Sequence, residues 1–340
     1  MSKQVVIDAL KRNKEYAYTP IIVTSTTATI NMMEKSGAFW PDAHCDPEKM
    51  ALLGSMPHVM YGFNSVKVPF DVVVEAEVLG ATVDYGSVDI YPQVRNSKIK
   101  SADELVMPDN LADKGRIPVV MEAIRRLRNR FPDVTVACHI MGPVSISSMM
   151  FGFETLLEWI IDEDPNFAKA MEFCTKFTMQ YAKLVEEAGA EVLEIGEAAA
   201  SGEILGAKTY KANIMPYHQR LATAVNIPLV MHICGDISSY LPLFSLCNID
   251  SINFDHSTSM SEAHRILGLN VKTSGNVDPV GVLLKGTPGD IKREVYKCLD
   301  SGVDVLTPGC AIAPRTSDEN LRAFVDAYKS YMKEKGIKLI

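Results

Sequence analysis

The residues Met231-His232-Ile233-Cys234-Gly235-Asp236 place an imidazole and a thiol two positions apart. They close an apolar run, Ile227-Pro228-Leu229-Val230-Met231, of the kind that forms a buried strand. Side chains alternate along a strand, so His232 and Cys234 leave one face together while Met231 and Ile233 leave the other. A third soft ligand, Cys310, ends a second strand-like run, 303–310. Brought together, His232, Cys234 and Cys310 make a three-ligand set with one position open, the pattern of a catalytic zinc site. The alternative is plain packing, because unpaired cysteines are often buried and inert. The choice turns on whether the two strand ends are neighbours.

The elements that must position these residues alternate between strand-like and helix-like runs, which argues for an α/β protein with a parallel sheet. Strands are expected at 19–26, 65–70, 134–142, 190–197, 227–235, 251–256, 271–277 and 303–307. Eight strands mostly separated by helices predict a single (β/α)8 TIM barrel over residues 1–340, with a small β-like insertion at about 71–100. Asp46-Pro47-Glu48 and Asp164-Pro165 open helices, and Thr316-x-x-Glu319 reads as a capping box for the last one.

Chemistry in such a barrel gathers at the C-terminal strand ends, and several of these are polar. Glu197 ends the fourth strand beside the one that carries His232, and neighbouring strands lie about 4.8 Å apart. It is a candidate catalytic carboxylate that guards the open metal position; the alternative is a Glu that hydrogen-bonds a loop or the His232 ring. Asp255 is a second candidate catalytic carboxylate. His256 and Asn276 are candidate cofactor contacts, the alternatives being a ligand-orienting partner and a turn residue. His139 reads as a buried, satisfied histidine, and Cys138, Cys174, Cys247 and Cys298 as packing.

Composition sets bounds. With 47% hydrophobic and 22% charged residues the chain is ordinary for a globular protein, and a net charge of −8 without a basic run argues against nucleic acid as a partner. The start of the chain lacks the apolar core of a signal peptide, and no apolar run reaches 18 residues, so neither secretion nor a membrane span is expected. The cysteines, 7 in number and irregularly spaced, suit a reducing cytoplasm with free or metal-bound thiols.

Several segments together resemble the uroporphyrinogen decarboxylase superfamily. They are Gly142-Pro143, Pro228-Leu-Val-Met-His-Ile-Cys-Gly235, Gly275-Asn-Val-Asp-Pro279 and Thr307-Pro-Gly-Cys-Ala-Ile-Ala-Pro314 followed by Glu319-Asn320-Leu321. Met33-Glu-Lys-Ser-Gly37, Phe39-Trp-Pro-Asp-Ala-His44 and Pro69-Phe-Asp71 with Glu75-Ala-Glu77 agree. The stretch Thr24-Ser-Thr-Thr-Ala-Thr-Ile-Asn-Met-Met33 lacks the arginines with which the decarboxylases bind porphyrinogen carboxylates. The His232-x-Cys234 and Cys310 set is instead similar to the zinc-dependent methylcobalamin:coenzyme M methyltransferase branch. That branch usually shows Asp-Pro in place of Glu197-Ala198 and an apolar residue or Cys in place of Glu194, so the acceptor pocket is expected to differ here.

The resemblance implies a zinc enzyme that moves a methyl group from a methylated corrinoid to a thiol, coenzyme M, held as a zinc-bound thiolate. It implies a small corrinoid-binding protein as partner, for which the Met- and Phe-rich residues 147–153 offer either a docking patch or the start of a core helix. Rival readings on the same fold are methyl exchange between corrinoid and tetrahydrofolate with Glu194 or Glu197 facing the pterin, a non-catalytic corrinoid-protein partner with structural zinc, and a decarboxylase.

Overall fold

In a computed structural model that describes residues 3–339, strands and helices alternate along the chain. The strands are β1 (Ser65–Val68), β2 (Thr82–Asp84), β3 (Gln93–Asn96), β4 (Thr135–Met141), β5 (Val192–Gly196), β6 (Leu229–Ile233), β7 (Ser251–Phe254), β8 (Lys272–Val277) and β9 (Val305–Pro308). Seven of them form one sheet in the order β1-β4-β5-β6-β7-β8-β9, with every neighbouring pair parallel. Every residue of these seven strands is buried, as expected where helices cover one face and the sheet curls over the other.

The curled sheet is barrel-like, but its named strands number seven and not the eight expected. The segment expected as the first strand, 19–26, makes only isolated bridges. Ile22 N donates to Leu306 O at 3.0 Å and Leu306 N to Pro20 O at 2.9 Å, which ties it to β9. On its other side Asn64 Oδ1 accepts from Ile21 N at 2.9 Å and Ser65 Oγ accepts from Val23 N, also at 2.9 Å. Side chains of the segment entering β1 thus take positions that a second strand's carbonyls would fill. The segment joins β9 to β1 without becoming a ladder.

Alternation fixes what points inward. Val6, Ala9 and Leu10 of the helix Lys3–Leu10 pack in one apolar cluster with Ile22, Ala137, Val192, Val230 and Val305, near the N-terminal ends of the strands. Two residues further along each of those segments, on the same face, stand Thr24, His139, Glu194, His232 and Thr307, all buried and all polar. The barrel therefore has an apolar floor and a polar middle.

The expected β-like piece within 71–100 is the antiparallel hairpin β2–β3, preceded by the short helix Val74–Val78. Near its tip Tyr91 OH donates to Ile312 O at 2.8 Å, and Asp89 pairs with Arg315. The hairpin is thereby strapped to the loop that follows β9. Asp46 and Asp164 cap their helices as expected, but the last helix, Asp318–Glu334, is capped by Ser317, one residue beyond the expected Thr316. Among the described residues no single helix is long and apolar enough to cross a membrane; the bent pair Pro143–Phe151 and Phe153–Ile161 passes only jointly, across a 107° bend.

Candidate metal centre

β6 delivers His232 from its last turn of pleat, and Cys234 follows directly after the strand ends at Ile233. The chain can turn away at once because Gly235 sits at φ +73°, and a Cβ there would meet the Ser201 hydroxyl at 2.5 Å. Cys310 comes from the loop after β9. His232 Nε2 lies 3.2 Å from Cys234 Sγ, and Cys234 Sγ lies 3.8 Å from Cys310 Sγ. The three ligand atoms all fall within 4.8 Å of one another, and no fourth His, Cys, Asp or Glu among the described residues joins them. Two thiolates about 2.3 Å from one ion at the tetrahedral angle would stand about 3.8 Å apart, so the donor set fits zinc in both type and spacing.

The imidazole is oriented from behind. Asn253, on β7, donates through Nδ2 to Ser274 O at 3.2 Å and Pro308 O at 3.4 Å, which turns its Oδ1 toward His232 Nδ1 at 2.6 Å. An amide oxygen can only accept, so Nδ1 carries a proton, and in the neutral ring Nε2 is the nitrogen left with a lone pair for a metal. This is the partner that a metal-binding histidine requires.

Without metal, the Cys310 sulfur is the anionic member of the set. The Cys234 thiol and the His232 ring hold its pKa well below the usual thiol value, against the effect of burial. Burial would lower the His232 pKa, but Cys310, Glu194 and Asn253 together raise it to about 9. The hydrogen bond to Cys310, with burial, pushes Cys234 up. Metal ligation needs a neutral imidazole and two thiolates, so the proton on His232 competes with metal below about pH 9, and the proton on Cys234 competes above that pH too. Metal uptake is expected to release protons, and affinity to strengthen as pH rises. Chelator competition should show about tenfold tighter binding per pH unit for each proton released; equal affinity at pH 6.5 and 8.5 would contradict the assignment.

The other candidate residues do not enter this cluster. Asp255 lies close enough for its charge to reach Cys234, but its Oδ1 accepts from Ser257 N at 3.0 Å and pairs with His256 Nδ1 at 2.9 Å. His256 is half exposed between Asp255 and Asp278. The Asn276 amide is spent inside the fold, donating to Asp255 O at 3.2 Å and Thr258 O at 2.8 Å, so it shapes the loop after β7 and offers no donor to a cofactor.

Glu197 is the clearest correction. Gly196 is the register partner of His232, so the even-numbered residues of β5 share its inward face and Glu197 points outward. Its carboxylate accepts from Val144 N at 3.2 Å and Ser145 N at 2.9 Å, at the start of the helix Pro143–Phe151, and meets His218 Nε2 at 3.0 Å. It anchors a helix and does not guard the metal.

The inward carboxylate is Glu194, fully buried, with His139 Nδ1 2.8 Å from its Oε1. Burial would raise the Glu194 carboxyl, but the hydrogen bond and charge of His139, with His232, bring it to about 2. His139 is not fully satisfied, because its Nε2 has no partner. The sequence signal for this pair was Gly196: a Cβ there would meet the His139 ring at 2.7 Å, so the glycine leaves the space that the ring fills.

Comparison with known proteins agrees with this fold. The sequence profile of uroporphyrinogen decarboxylase (URO-D) matches residues 1–331, so the chain belongs to that family. The methylcobamide:CoM methyltransferase MtbA of Methanosarcina mazei is 33% identical over 317 residues, covering 92% of this chain and 93% of that protein. MtaA of Methanosarcina barkeri, another methylcobamide:CoM methyltransferase, is 32% identical over 315 residues with the same two coverages, 92% and 93%. A solved methyltransferase from Methanosarcina mazei superposes with a TM-score of 0.93 at 30% identity, covering 97% of this chain and 98% of that one. Within the family the likeness is to the methyltransferase branch, and the chain is an enzyme of the transferase class.

Proposed function

We propose that this enzyme is a zinc-dependent methyltransferase of the cytoplasm, a single barrel domain that carries a methyl group from a methylated corrinoid to a thiol. Coenzyme M is the acceptor that its relatives' names supply. The observation that carries the reading is the set His232, Cys234 and Cys310, at 3.2 and 3.8 Å, with three protein ligands and no fourth among the described residues. A zinc ion held there keeps one position open and supplies a thiolate near neutral pH without any redox change of its own.

The chain's own residues do the rest. Asn253 fixes the His232 tautomer, and the polar middle of the barrel keeps the site at the bottom of a mouth built by strand ends. The sulfur's electron pair forms the new S–CH3 bond, the Co–C pair stays on cobalt and reduces it by two electrons, and the thiol proton leaves to solvent. A corrinoid brought by a small carrier protein needs room at that mouth. A cavity of about 690 Å3 between β3 and the end of the helix Pro143–Phe151, lined by Val72, Val94, Arg95, Met149 and Phe151, is our candidate for part of that room. Met149 and Phe151 belong to the segment singled out for docking.

Zinc-loaded protein is expected to bleach the methylcobalamin spectrum when coenzyme M is added, and to stop when a chelator removes the metal. Bleaching with tetrahydrofolate and with no thiol would favour the folate reading of the fold. Bleaching with neither would overturn methyl transfer.

A further inference from the structure

The two sulfurs of the metal centre are also placed for a chemistry of their own. Cys234 Sγ and Cys310 Sγ stand 3.8 Å apart, and both residues are partly exposed. The protein's own bonds hold them face to face. Cys234 follows directly on the end of β6, where Gly235 turns the chain. Cys310 lies between two tied amides: Gly309 N donates to Val277 O at 2.9 Å, and Ile312 N to Thr26 O at 3.0 Å. Tyr91 OH adds a third tie by donating to Ile312 O at 2.8 Å.

A disulfide brings its sulfurs to about 2.05 Å, so this pair must close by about 1.8 Å from where it stands. Each sulfur turns on one Cα–Cβ bond with staggered positions about 120° apart, so side-chain rotation works on that scale. The other cysteines are placed differently. Cys138, Cys174, Cys247 and Cys298 are buried and meet oxygen partners, and Cys45 is at the surface. Zinc and a disulfide would claim the same two sulfurs, so the two states exclude each other. A disulfide leaves His232 as the one remaining ligand of the set.

We propose that Cys234 and Cys310 form a reversible disulfide in the metal-free enzyme, a redox switch that shuts the zinc site. The oxidant is a low-molecular-weight disulfide, the oxidised form of a small thiol like the acceptor. One protein thiolate attacks a sulfur of the small disulfide, whose S–S bond breaks and releases one small thiol. The second protein thiolate attacks the first cysteine's sulfur, forms the Cys234–Cys310 bond and expels the other small thiol. Two protein thiols are thereby oxidised by two electrons and one small disulfide is reduced to two thiols, which take up the two protons. The consequence for activity rests on the zinc reading of the site; the bond itself does not.

The test treats reduced, metal-free protein with 2-hydroxyethyl disulfide, blocks the remaining thiols by alkylation and maps the cysteine peptides by mass. Cys234 and Cys310 should be found joined, and the treated protein should lose its zinc uptake until dithiothreitol restores it. Protein loaded with zinc before treatment should keep both thiols, because the metal engages both sulfurs. In Cys234→Ser and Cys310→Ser the remaining sulfur has no partner, and at least one of these variants should keep the small thiol as a lasting mixed disulfide. Two unjoined cysteines in the treated metal-free protein, whether free or each capped by the small thiol, would overturn the switch. Reduced protein that takes up no zinc would overturn the metal reading instead, while the peptide map still decides the disulfide.

Discussion

Cys310→Ala protein is expected to purify folded, with almost no zinc and without measurable methyl transfer. Cys310 supplies one of three ligands and is the sulfur that draws hydrogen bonds from the other two members of the set. Removing even an outer partner of a metal ligand costs up to about a hundredfold in affinity, so losing a ligand should cost at least that much. The fold should survive, because Cys310 lies in the loop after β9 and belongs to neither apolar cluster. Cys298→Ala is the matched control: that thiol sits on the buried face of the helix Pro288–Asp300 and donates to Asn276 Oδ1. Metal analysis should find full zinc in the control and very little in Cys310→Ala. Full zinc in both would remove Cys310 from the site.

Glu197→Ala should act in the opposite way, on stability and not on metal. Its carboxylate holds Val144 N, Ser145 N and His218 Nε2, all within 3.2 Å and all buried. His218 in turn bonds Tyr210 OH at 2.9 Å, so the truncation opens one end of a buried chain of polar contacts. Breaking a buried pair of this kind costs about 3–5 kcal/mol, mostly from the groups left without partners. Denaturant unfolding should show that loss, and Glu197→Gln, which still accepts from the backbone amides, a smaller one. Zinc content in the folded fraction should be unchanged. Normal stability together with altered metal coordination would restore Glu197 to the metal.

Most strands of the sheet are legible as apolar runs bounded by turn residues, the trace that strands buried on both faces leave, although β8, Lys272–Val277, is mostly polar. The metal set was legible because alternation within one strand is local information: His232 and Cys234 must share a face wherever the strand goes. The relation between two strands is not local. Adjacency alone leaves Glu197 open as a guard of the metal or as a Glu that hydrogen-bonds a loop, and only the register of Gly196 against His232 shows that the inward face of β5 is the even-numbered one. The same register promotes Glu194 and withdraws Glu197. The segment 19–26 departs from a strand for a related reason: its apolar residues are buried as a strand's would be, but on the β1 side the amides of Ile21 and Val23 go to the side chains of Asn64 and Ser65. Asn276 is hard to read because an Asn near the end of a strand looks the same in sequence whether its amide faces a ligand or the protein's own carbonyls.

The apolar floor made by Val6, Ala9 and Leu10 against the strand starts gives the barrel a blind end. In the proposed reaction everything then shares one doorway. The small thiol must already be seated when a bulky corrinoid carrier arrives, and the methylated thioether cannot leave until that carrier departs. Turnover becomes a queue in which the last to enter is the first to go, so an excess of demethylated carrier should trap product and slow the enzyme even where the chemical step is fast.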